Sequence, residues 1–202
     1  MRRLKEPASH RFREKASVFL TELQPARDAA ERAAVLTRLR KRDFDATHLC
    51  SAWREGVPVT ASGQDDDGEP AGTAGRPMLV VLEGAQATDL IAICSRWYGG
   101  TKLGTGGLVR AYTEGVQGAL AAAEVAGSWE EVRVLRSGEI SVPAGLSHLP
   151  FAVLACFPEA TALEQVFHGE LAVLSFECPP ELAPALEHAW RERSRGLAIR
   201  WI

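Results

Sequence analysis

Several features that would place this chain in a class at once are missing. Its four cysteines, Cys50, Cys94, Cys156 and Cys178, are scattered, have no Cys-x-x-Cys spacing and lie mostly among apolar neighbours. That argues against a disulfide framework or a thiolate zinc site and for reduced core thiols, with the cytosol as the expected compartment. An excess of one charge is also missing, the formal net charge being −3. Nucleic-acid binding would therefore need a local basic patch rather than bulk attraction. No apolar run is long enough to span a bilayer. The basic start Met1-Arg2-Arg3-Leu4-Lys5 is not followed by the apolar core of an export signal. What remains is a chain of 202 residues with ordinary charged and apolar fractions, enough for one large globular domain or two small ones.

The most informative stretch is Arg96-Trp97-Tyr98-Gly99-Gly100-Thr101-Lys102-Leu103-Gly104-Thr105-Gly106-Gly107-Leu108-Val109-Arg110-Ala111-Tyr112. It joins the apolar run 90–94, short enough for a buried strand, to apolar residues at helical spacing from Leu108 through Val116 and Leu120. The pattern predicts strand, glycine turn and helix. Gly99, Gly100, Gly104, Gly106 and Gly107 allow backbone amides to approach a ligand closely. The following helix adds unpaired first-turn N–H groups and its dipole, and Arg96, Lys102 and Arg110 add formal positive charge. Such a combination suits an anion, most simply phosphate. Lys102 lies between glycine pairs and is not followed by the P-loop Ser or Thr; Gly104, Gly106 and Gly107 do not keep the G-x-G-x-x-G spacing. On chemistry alone, tight helix packing explains the glycines as well as a ligand does.

A second unusual stretch lies upstream: Asp66-Asp67-Gly68-Glu69-Pro70-Ala71-Gly72-Thr73-Ala74-Gly75-Arg76-Pro77-Met78-Leu79. Together, in this order, the two stretches closely resemble the paired signatures of the YigZ/IMPACT family. Arg11-Phe12 and Asp45-Ala46-Thr47-His48 also look like family features, so the resemblance covers roughly the first 125 residues. It implies a two-domain α+β protein of the bacterial type. Residues 1–127 would form an α/β sandwich resembling domain IV of elongation factor G. Residues 128–202 would form a ferredoxin-like domain resembling domain V of that factor. Both are ribosome-associated modules.

Along the chain, residues 12–20 predict a first strand, 26–42 an amphipathic surface helix with a basic end, and 46–53 a strand, followed by a polar loop over 54–63. Asp65, Asp66, Asp67 and Glu69 then crowd into one turn, where like charges repel unless something positive answers them. Asp67, Glu69 or Thr73 capping a helix that begins near Gly72, with Arg76 paired to a carboxylate, is the commoner solution. The alternative is that these carboxylates meet Lys102 and Arg110 across a groove, or hold magnesium beside a phosphate. His48 serves either as a hydrogen-bonded core residue or as a site residue of that groove. Downstream, a strand over 131–136 with a turn at Ser137-Gly138, a helix over 146–157, strands over 161–167 and 171–178, a helix over 181–195 and a strand over 197–202 spell a βαββαβ plan. Phe151, Phe157, Phe167 and Phe176 are expected in its core.

The expected function is a non-enzymatic cytosolic protein linked to translation or stress response. It would bind RNA, the ribosome or a phosphorylated ligand through Arg96, Tyr98, Gly99, Gly100, Lys102, Gly104, Thr105, Gly106, Gly107 and Arg110. A translation-associated protein is the alternative partner, and no membrane partner is expected. Beside it stands a small-molecule enzyme with an acidic, magnesium-dependent site built from His48, Asp66, Asp67, Glu69 and Thr73 opposite Lys102. For the leading reading no cofactor or structural metal is expected.

Overall fold

The computed structural model describes residues Met1–Ile202. The chain divides into two compact units, Met1–Val132 and Arg133–Ile202.

The first unit runs β1 (Arg2–Leu4), β2 (Ala8–Glu14), β3 (Ser17–Pro25), α1 (Ala29–Arg42), β4 (His48–Glu55), β5 (Ala61–Asp65), α2 (Gly75–Gly84), β6 (Ala87–Thr88), β7 (Leu90–Trp97), α3 (Thr105–Val125) and β8 (Trp129–Glu131). Its main sheet has the order β2-β3-β7-β4-β5, with every pairing antiparallel. The central strand β7 is apolar without alternation because both its faces are covered. Leu90, Ala92 and Cys94 join the core with α2 and α3, whereas Ile91 and Ile93 pack with Leu39 of α1 on the opposite face. α3 can lie close to β2 and β3 because it presents glycines there. A Cβ on Gly115 would come within 2.3 Å of Thr21 Oγ1, and one on Gly118 within 2.3 Å of the His10 ring. A small second sheet, β6-β1-β8, ties the start of the unit to its end.

Three expectations for this unit are corrected. The single strand over 12–20 is a hairpin of β2 and β3, which turns at Lys15 with φ 52° and so without a Gly or Pro signal. The loop over 54–63 contains the start of β5, whose polar edge-strand residues carry no apolar alternation. The strand expected over 131–136 is two strand ends, β8 before it and a longer strand from Arg136 after it.

The second unit runs β9 (Arg136–Pro143), α4 (Leu149–Leu154), β10 (Thr161–His168), β11 (Leu171–Cys178), α5 (Ala183–Ser194) and β12 (Arg200–Trp201). Its antiparallel sheet has the order β10-β11-β9-β12, which is the βαββαβ ferredoxin-like arrangement. Ile140, Val142, Leu174, Phe176, Leu186 and Trp190 form its core. Ser137 and Gly138 lie within β9 rather than in a turn. Gly138 is needed because a Cβ there would lie 2.7 Å from the Phe176 ring. Phe176 is buried and Phe157 packs against the core, but Phe151 and Phe167 are 43% and 55% exposed. Phe167 escapes the core because its strand is the edge of the sheet, open along one side.

Candidate functional site

β7 ends at Trp97, and the chain crosses Gly99 to Gly104 before α3 begins. Gly99 approaches the β2–β3 hairpin so closely that a Cβ would sit 1.8 Å from the Ala16 carbonyl oxygen. Gly100 and Gly104 take φ of 91° and 74°, a backbone that other residues adopt only under strain. Gly104 accepts the Leu108 N–H through its carbonyl, and α3 has no side-chain cap. The uncapped start of α3, at Gly104 and Thr105, therefore borders a cavity of about 400 Å³, with the positive end of the helix dipole beside it. Thr47, His48, Glu69, Pro70, Arg96, Tyr98, Lys102, Leu103, Gly104, Thr105 and Leu108 line it. Lys102 is exposed and makes no ion pair, and Lys15 on the hairpin donates to the Lys102 carbonyl at 3.4 Å, which brings a second ammonium nearby.

Beneath the cavity lies a buried polar chain. Arg96 donates to Glu69 Oε1 at 2.6 Å and to Ser17 Oγ at 3.2 Å, and the Tyr112 hydroxyl donates to the same Glu69 oxygen at 2.7 Å. Burial, aided by neighbouring thiols, pushes the Tyr112 phenol far above its ordinary value, so it stays a neutral donor. Tyr98 and Phe19 each present a ring to the Arg96 guanidinium, at 5.5 and 5.4 Å. His48 Nδ1 lies 2.8 Å from the Asp67 carbonyl, which can only accept, so that nitrogen carries the hydrogen. Its Nε2 lies 3.9 Å from Glu69 Oε2 at the cavity wall. Thr47 closes the corner, its Oγ1 accepting the Tyr98 N–H at 3.0 Å.

The acidic turn is answered by residues other than those expected. Asp66 caps α2, accepting the N–H groups of Gly72, Ala74 and Gly75 at 2.7, 3.0 and 2.8 Å. Partial burial works against its ionisation, but these three amides outweigh it and hold the carboxyl below its ordinary value. Asp67 pairs with Arg40 at 2.9 Å and accepts the Leu49 N–H at 2.6 Å. Thr73 donates to the Pro70 carbonyl rather than capping the helix. Neither Lys102 nor Arg110 meets a carboxylate, and Arg76 is unpaired; the basic partners are Arg96 and Arg40. No group of three or more His, Cys, Asp or Glu side chains is placed to hold a metal ion.

The two glycine-rich helix starts are thus different: that of α2 is filled by its own Asp66, and that of α3 is open. Of the residues singled out from the sequence, the cavity collects Arg96, Tyr98, Lys102, Gly104, Thr105, His48 and Glu69. Gly99, Gly100, Gly106, Gly107, Arg110, Asp66, Asp67 and Thr73 are outside its lining. Thr47, Pro70, Leu103, Leu108 and Lys15 were missed. Thr47 and Pro70 adjoin residues that were chosen, but nothing local marks Lys15, which reaches the site only through the β2–β3 hairpin.

Fold and site together define a two-unit α+β protein with a cavity at an uncapped helix start, distinct from Walker-type and dinucleotide-binding architectures. The chain belongs to the IMPACT family: residues 15–120 match the Impact N-terminal domain. It is 46% identical over 108 residues to an IMPACT family member of Haemophilus influenzae, covering 52% of each chain. To the IMPACT family member YigZ of Escherichia coli it is 45% identical over 108 residues, covering 52% of this chain and 53% of that one. The match thus spans about half the length of these relatives. A crystal structure of a hypothetical protein, 28% identical, is similar over 100% of this chain and 95% of its own, with a TM-score of 0.62. No helix is long and apolar enough to cross a membrane.

Proposed function

We propose that this protein is a non-enzymatic cytosolic regulator linked to translation or stress response, and that its cavity binds a phosphate group of RNA, of the ribosome or of a phosphorylated ligand. The observation that carries this reading is the contrast between the two helix starts. One is neutralised by Asp66, while the other has no side-chain cap and meets the cavity at Gly104 and Thr105, beside the unpaired Lys102. Tyr98 at the rim adds an aromatic face on which a base can stack. The link to translation rests on family membership and on the ribosome-associated modules that the family resembles. The test is co-sedimentation with ribosomes and binding to single-stranded RNA over a range of salt. Lys102→Ala should weaken binding across sequences and lower the salt slope by about one, as for a lost phosphate contact. Unchanged binding and slope would overturn the proposal.

One arrangement favours a second reading. His48, oriented through Nδ1 with Nε2 beside Glu69, is placed like a general base, as a small-molecule enzyme would need. Magnesium dependence of that enzyme would have to be built without Asp66 and Asp67, whose carboxylates are already committed. A metal-dependent thermal shift that is lost in Glu69→Gln would favour it.

A further inference from the structure

Each sheet leaves two edges, and an unguarded edge strand is a template for another strand. In the first unit, edge strand β2 carries exposed Arg11, Arg13 and Glu14, and edge strand β5 is short and polar. In the second unit, edge strand β12 has two residues. The other edge, β10, is eight residues long, with no proline and no lysine or arginine, and with a bulge only near its start. Leu163 and Phe167 are each 55% exposed, and Val166 is 39% exposed. A strand of this kind offers a free ladder together with apolar side chains.

Its sequence is also complementary to itself. Glu164, Val166 and His168 share one face, standing beside Ser175, Val173 and Leu171 of β11. Phe167 stands beside the buried Ala172 on the other face, the one that packs on the helices. If two β10 strands run antiparallel with Val166 on the two-fold axis, Glu164 of each lies opposite His168 of the other. An imidazole N–H then meets a carboxylate twice. In the same register the two Phe167 rings become diagonal neighbours, within reach of aromatic side chains. Sliding the strands by two residues one way carries Glu164 past the end of β10 towards Glu170 of the turn, with no strand partner and like charge nearby; the other way sets it against Val166. One register thus satisfies both faces, and it closes as a two-fold dimer.

We propose that β10 is a homodimerisation edge at which two copies of this chain pair antiparallel about Val166 and continue the four-stranded sheet of each into one of eight strands. This edge belongs to the second unit, and the proposal does not depend on the function of the cavity in the first. The experiment is sedimentation velocity of the full chain at tens of micromolar, with circular dichroism to check folding. The wild type should sediment as a dimer. Val166→Lys, which sets two ammonium groups on the axis, and Glu164→Lys, which faces His168 of the second copy, should both sediment as monomers. The double variant Glu164→Lys with His168→Glu sets an ammonium against a carboxylate in the same pairing and should recover the dimer, which a merely structural role for these exposed residues would not produce. A wild type that is monomeric throughout overturns the proposal, as does a dimer that survives Glu164→Lys or a double variant that stays monomeric. Should Val166→Lys fail to fold, the Glu164 pair of variants decides alone.

Discussion

Arg96 and Glu69 form a buried ion pair at 2.6 Å, their side chains 5% and 3% exposed, at the floor of the candidate cavity. β7 supplies the cation and the turn before α2 supplies the anion, so the pair ties the two signature stretches of the sequence together.

Breaking this pair from one side should be costly. Glu69→Ala leaves the guanidinium buried with only Ser17 as a neutral partner, and removal of one member of such a pair costs roughly 3–5 kcal/mol. Chemical denaturation should show that loss. Tyr112→Phe, which removes one donor to the same oxygen, should cost less, about 1–3 kcal/mol. A Glu69→Ala loss no greater than that of Tyr112→Phe would show the pair to be energetically idle.

The Asp66 cap carries a pH signature. Because the folded carboxyl ionises below its ordinary value, its contribution is full above the unfolded pKa of about 4 and disappears as pH falls through the lower folded value. Asp66→Ala should lose about 0.5–2 kcal/mol at neutral pH, the typical cost of a lost N-cap. The gap between wild type and variant in urea midpoints should close below pH about 4. A gap constant with pH would mean that the cap acts through shape alone.

Gly99 and Gly104 should respond differently to alanine. At Gly99 the new methyl collides with the Ala16 backbone, which cannot swing aside as a flexible side chain would, so overpacking of about 1–3 kcal/mol or more is expected. At Gly104 there is open space around the Cβ position, and the penalty comes from the backbone alone: φ 74° with ψ 165° is a conformation essentially reserved for glycine, costing about 1–3 kcal/mol in any other residue. Thermal unfolding of the two variants checks that both are destabilised, one by collision and the other by backbone strain.

Thiol reactivity should separate one cysteine from three. Burial pushes Cys94 up to about 12 and raises Cys50 and Cys178 as well, which suppresses the thiolate that reacts, whereas Cys156 is exposed. Ellman's reagent should titrate one thiol rapidly in the native protein and four after unfolding. Two fast native thiols would contradict the burial of Cys50 in β4, Cys94 in β7 or Cys178 in β11.

The elements most legible in the sequence were those with strong periodicity or a long apolar run. The helix start at Thr105, the amphipathic stretch of α1, the central strand from Leu90 and the β10–β11 hairpin all follow from local pattern. The β2–β3 turn was not legible because Lys15 takes the left-handed backbone without a glycine to announce it. The edge strand β5 was hidden by its polar residues, and Gly138 passed for a turn because a glycine that makes room for an aromatic ring reads the same as one that bends the chain.

Local sequence alone determined that two glycine-rich helix starts, an acidic turn and a set of basic side chains exist, since backbone freedom, capping and charge are properties of neighbouring residues. Only the tertiary structure decided which acid meets which base. Arg96 takes Glu69, Arg40 takes Asp67, and Asp66 closes α2, which leaves α3 open beside Lys102. Pairing across the sheet depends on strand order and register, which set distances between residues far apart in the chain. Burial then holds the Arg96–Glu69 contact in place, because neither charge can be left alone away from water.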